Sequence, residues 1–269
     1  MMLLLVAFIA TGALPWWQRF ELPSATRLDA DRVRAATLMK RRSLADCEKA
    51  VELLELSLKR HPEDASLSLE CAVALNALMR IRTHSNTLHI TKMLDTPEHK
   101  KVWRRYGPRA LELATRAKKR RPSDPEALVA YADAYFFANS VKGVLAAATT
   151  GSGLKFKANS KELIRKCPRA DGGVGHCYLG AFFLMAPWPL CNPKLAEAHL
   201  TTAHKQIASR RNAYYMGVMH YRLGRPERAM PYFREAIRAR CASPSEADFG
   251  DWMLAEAKSA LAVCQKTAA

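Results

Sequence analysis

The chain has 269 residues, of which 49% are hydrophobic and 25% charged. That composition excludes both an intrinsically disordered chain and a multi-span membrane protein. Its 42 Lys and Arg against 25 Asp and Glu leave a formal charge of +17, which repels basic partners and attracts nucleic acid, acidic protein or anionic lipid.

Met1–Gln18 carries no charged side chain, and Leu3–Ala10 is a continuous apolar run. The run is too short to span a bilayer and breaks at Gly12 and Pro15, so residues 1–18 are predicted to be a targeting or anchor segment. This favours an organelle-targeted or membrane-associated protein. Residues 19–42 read as a linker, polar through Asp31, followed by a first helix. Residues 43–268 read as one helical domain, because Ala and Leu recur at helical spacing and long strand-like alternations are missing.

Within that domain a second-helix pattern recurs. Ala50, Leu54 and Leu58 run to His61-Pro62-Glu63-Asp64, and Ala110, Ala114 and Ala117 run to Arg121-Pro122-Ser123-Asp124. Each proline is expected to end one helix and start the next, and Ala65–Arg80 and Glu126–Ala138 are predicted helices. The intervening Thr83–Arg105 is expected to add one helix or more. Gly151-Ser152-Gly153 reads as a plain turn, and Asp171-Gly172-Gly173 as a tight turn that starts a helix over Gly175–Met185.

The C-terminal half has the clearest register. Ala196, Leu200 and Ala203 repeat as Ala229, Phe233 and Ala236, a constant shift of 33 residues. Small residues at Gly180, Gly217, Ala229 and Ala236 allow two helices to approach closely. Phe233 is expected to fill the space between units, and Gly224 to end its helix in a left-handed conformation. These residues resemble the tetratricopeptide repeat, whose period is about 34 residues, most closely over Asn212–Arg240. The resemblance implies an all-α, right-handed helical-repeat (TPR-like) solenoid with inserted helices and loops, a concave binding face and no reaction.

The interrupted repeats also resemble two divergent families: the T component of bacterial tripartite (TRAP) transporters and the eukaryotic regulators of microtubule dynamics. The segment Glu162–Arg238 carries this likeness through Cys167-Pro168, Asp171-Gly172-Gly173, Gly175-His176, Tyr178-Leu179-Gly180, Met185-Ala186-Pro187, Ala196 and Ala203. The T-component resemblance implies a pore or cleft through the helical body.

Candidate contacts are few. In such solenoids the first helix of a pair lines the concave face, which makes Tyr214, Tyr221 and Arg222 expected exposed contacts, with packing between repeats as the alternative. Trp188, in Pro187-Trp188-Pro189, is either a cap on the core, the favoured reading, or a contact at a pocket mouth. Arg42, Arg105, Lys119 and Arg121 stand for three basic runs and would form a nucleic-acid patch only if they share one surface. The seven cysteines include no Cys-x-x-Cys pair, and most of them are expected to be buried and reduced. No Ser/His/Asp set, paired carboxylates or dinucleotide loop stands out, so no catalytic residue, cofactor or metal is expected. The expected function is a non-catalytic scaffold or assembly factor that binds a protein partner through a TPR-like concave surface. A small-ligand protein resembling the T component and a basic RNA-binding repeat are the alternatives. Peripheral or anchored membrane association is a further expectation.

Overall fold

The computed structural model describes residues 25–84, 88–90, 96–143, 146 and 150–268. The predicted targeting segment, residues 1–18, lies outside them. Among the described residues there is no strand, and the helices are α1 (Ala25–Arg41), α2 (Leu44–Arg60), α3 (Ala65–Thr83), α4 (Pro97–Arg120), α5 (Pro125–Asn139), α6 (Gly151–Lys166), α7 (Ala170–Met185), α8 (Pro193–Gln206), α9 (Arg210–Arg222), α10 (Pro226–Arg238), the single turn α11 (Pro244–Ala247) and α12 (Gly250–Ala268). No described helix is long and apolar enough to cross a membrane.

The helices pack as successive antiparallel pairs, α1 with α2 through α9 with α10, and α12 closes the array against α10. Polar side chains set their starts. Ser43, Asp64, Thr96, Asp124, Asn192 and Ser209 each accept a bond from a backbone N–H of the first turn, satisfying donors that the helix itself leaves unpaired. Pro97, Pro125, Pro193 and Pro226 occupy the first turn, where a missing N–H costs least. Pro62 and Pro122 differ slightly from expectation. They sit in the connecting turns, two residues before the capping aspartates.

The repeated i, i+4, i+7 register is the core of four of the five pairs. Ala50, Leu54 and Ser57 on α2, Ala110, Ala114 and Ala117 on α4, Ala196, Leu200 and Ala203 on α8, and Ala229, Phe233 and Ala236 on α10 are all buried. The small partners are required by distance. A Cβ at Gly217 would sit 2.5 Å from the Phe233 ring, and one at Gly180 would sit 2.5 Å from Leu200. Gly224, at φ +71°, ends α9: its N–H bonds the Tyr221 carbonyl and the Arg225 N–H bonds the His220 carbonyl, the paired closure that a left-handed residue permits.

Three sequence expectations change. Pro97–Arg105 lengthens α4 at its start instead of forming a separate helix. Gly151-Ser152-Gly153 is the first turn of α6 and not a loop. The stretch expected as a linker to Asp31 is already helical at Ala25. The Asp171-Gly172-Gly173 turn is as expected. All three residues are left-handed, at φ 47°, 67° and 77°, so the right-handed part of α7 begins at Val174.

Candidate functional site: a clasped charge cluster

The first helices of successive pairs, α3, α5, α7 and α9, each place one or two polar side chains on the same inner side of the array. These are Arg80 on α3, Asp133 on α5, Asp171 and Tyr178 on α7, and Arg211 on α9, and they surround one small cavity together with Ser245 and Phe249. Its volume of about 20 Å³ is room for a single water.

The residues that close this face come from the connection between α10 and α12. The other joints from a second helix to the next first helix take three or four residues, as in His61–Asp64 or Ile207–Ser209. The last takes eleven, Ala239–Phe249. It runs back over the inner face to the start of the array. Asp248, with a fully buried side chain, accepts a two-pronged bond from Arg42 (Nε to Oδ1 and Nη2 to Oδ2, both 2.7 Å) and a third from Arg80 Nε at 2.8 Å. Arg42, at the turn between α1 and α2, has a positive φ of 54°. Glu246 is fully buried and accepts from the Arg211 backbone N–H at 2.7 Å, at the positive end of α9, and from Ala242 N–H at 3.0 Å. Ser245 donates to Asp171, whose other oxygen takes Arg211 Nη1 at 3.1 Å. Asn212 Nδ2 fixes the left-handed turn by bonding the Gly172 carbonyl at 2.9 Å.

Arg42, Arg80 and Arg211 face Asp133, Asp171, Glu246 and Asp248, so three cations meet four carboxyl groups. Burial pushes Asp133 up to about 6, against the opposing pull of Arg80 and Tyr178. Asp171 goes the other way: burial alone would raise it, but Arg211 and the Ser243 and Ser245 hydroxyls hold it below the usual carboxylate range.

The residues singled out from sequence are placed differently. Tyr214 is fully buried and packs against the Phe233 ring, with centroids 5.9 Å apart; it is a core residue, not an exposed contact, because the α9 face that carries it is covered by α10. Tyr221 is half-buried. Arg222 donates to the His89 carbonyl at 2.6 Å, and burial lowers its pKa. Trp188 is not a core cap. It is 89% exposed on the loop between α7 and α8.

The basic residues do not converge. Arg42 is held by Asp248. Arg105 lies exposed over the Tyr106 ring at 5.0 Å, while Lys119 is exposed near the far end of the same helix. Arg121 is beyond that end, paired with Asp124 at 3.5 Å. Sixteen helical residues separate Arg105 from Arg121 by about 24 Å. All seven cysteines are free, and Cys47, Cys71, Cys177 and Cys264 are buried. Among the described residues no three His, Cys, Asp or Glu side chains gather as a metal site would need.

Sequence reasoning missed the cluster itself. A signal was available: Asp133 is the one charged residue in Ala127–Phe137, and Arg80 follows the long uncharged run Cys71–Met79. An ionic side chain amid such a run needs a buried partner.

No family model and no curated protein matches the chain. Among solved structures it is similar to a thermophilic TPR protein of Thermus thermophilus, with a TM-score of 0.58, 17% identity, and coverage of 87% of this chain and 99% of that one. The fold is a divergent TPR-like helical repeat. In TPR-like terms α1, α3, α5, α7 and α9 are the first helices of five pairs, and the charge cluster lies on the face they share.

Proposed function

We propose that this TPR-like protein is a non-catalytic binding scaffold whose inner face takes an extended segment of a protein partner. The observation that carries the reading is intramolecular. Ser243–Phe249 lies across the first helices, held by side chains from α3 and α7, by a backbone N–H of α9 and by the α1–α2 turn, so the face is built to hold a peptide segment. The alternatives have less support. The cavity at the charge cluster, with room for one water, offers no berth there to a small solute, and the dispersed basic residues offer no continuous track to RNA. Attachment to a membrane through Met1–Gln18 is compatible with the scaffold reading and forms part of the proposal.

The test places a photo-crosslinking amino acid at Tyr221 and, separately, at Trp188 in the full chain within its native compartment. One discrete polypeptide adduct, recovered in near-stoichiometric yield, is the expected result. Absence of any polypeptide adduct from either position, with the native protein purifying alone, contradicts the scaffold reading.

A further inference from the structure

We infer that Ala242–Phe249 is a resident ligand of the inner face, and that the partner segment it stands in for is acidic, with two carboxylates two residues apart followed by an aromatic residue. The inference rests on the scaffold reading and names the chemistry of its partner.

Four observations carry it. The connection is far longer than the chain needs, since three or four residues suffice at every equivalent joint. Its hold on the inner face comes mainly from charge. Asp248 bridges Arg42 and Arg80, Glu246 accepts the Arg211 N–H, and Phe249 is its one large buried apolar residue. The receiving face is cationic once the segment is set aside, because Arg42, Arg80 and Arg211 then face only Asp133 and Asp171. Finally, the receiving donors have the geometry of carboxylate recognition: a two-pronged guanidinium for one acid and a helix N-terminal N–H for the other. An acidic segment from another protein satisfies the same donors, so the resident segment and the partner compete for one site.

The experiment uses the full-length protein and a fluorescein-labelled peptide with the sequence of Ala242–Phe249. The control peptide carries Gln and Asn in place of its two acids. Against the Glu246→Gln/Asp248→Asn protein, the acidic peptide is expected to bind at least tenfold more tightly than against the unaltered protein, and the control peptide to bind neither. A second measurement needs no substitution: excess acidic peptide added to the unaltered protein is expected to speed amide hydrogen exchange in residues 242–249 and nowhere else. If that exchange is unmoved at saturating peptide, or the folded variant binds no better than the unaltered protein, the segment is a fixed part of the fold and the inference is overturned. A partner adduct in the crosslinking test alongside either negative result keeps the protein as a binding scaffold while removing the inner face as the place where the partner sits.

Discussion

The joints between pairs are of two kinds, and each uses carboxylates differently. His61–Asp64 and Arg121–Asp124 turn the chain in four residues, and Asp64 and Asp124 bond backbone N–H groups two and three positions on. Ala239–Phe249 occupies an equivalent position in the topology, yet Asp248 bonds Arg80, 168 residues away, and Arg42, 206 residues away. The first kind is local and repeated. The second ties the end of the array to its beginning, giving an otherwise neighbour-by-neighbour architecture a long-range constraint.

Substitutions at the two kinds of joint should therefore differ in size. Asp248→Ala leaves the buried Arg80 and the partly buried Arg42 guanidinium groups without their shared acid and is expected to cost about 3–5 kcal/mol in denaturant unfolding. Next is a pH effect. Asp133 holds a proton up to about pH 6 in the folded chain, whereas an unfolded aspartate loses it near 3.9. The folded state binds more protons across that window, so this group's stabilisation is full below the lower value and is lost as pH rises toward 6. Relative to Asp133→Asn, the unaltered protein should lose stability between about pH 4 and 6, by at most about 1.4 kcal/mol per pH unit. A flat difference between the two across that range counts against the burial of Asp133 among the cluster's side chains.

Smaller effects are expected where packing is only local. Ala229→Phe overpacks the contact between α9 and α10 and should cost about 1–3 kcal/mol. Ala242→Phe, at an exposed position, should stay within about 0.5 kcal/mol. Melting curves in the reverse order would break the register assigned to the last pair. Asp64→Ala, which removes only a helix cap, should cost about 1 kcal/mol, and an equal loss at Asp64 and Asp248 would erase the distinction between the joints.

The parts legible in the sequence are those written in neighbouring residues. Ala229, Phe233 and Ala236 announce a buried face by spacing alone, and Gly224 announces a helix end because few residues take its left-handed backbone. Side-chain exposure was less legible. Tyr214 took the alternative of packing between repeats and Trp188 the exposed alternative to a core cap, since an aromatic residue reads alike on either surface until the covering element is known. The clasp was illegible for a physical reason. Ser243-Pro244-Ser245-Glu246 reads as a helix start, with Ser243 capping and Glu246 three residues on, and α11 does begin there. The Glu246 carboxylate instead accepts from the N–H groups of Ala242 and Arg211. Nothing local in Glu246-Ala247-Asp248 points to Arg42 or Arg80.

A double-mutant cycle on Arg80 and Asp248 measures the contact between the last joint and the early helices directly. Unfolding free energies of the unaltered protein, Arg80→Ala, Asp248→Ala and the double variant should give a coupling of about 2 kcal/mol or more. A coupling within about 0.5 kcal/mol of zero would mean that the two residues do not meet in the folded protein and that the inner face is not clasped.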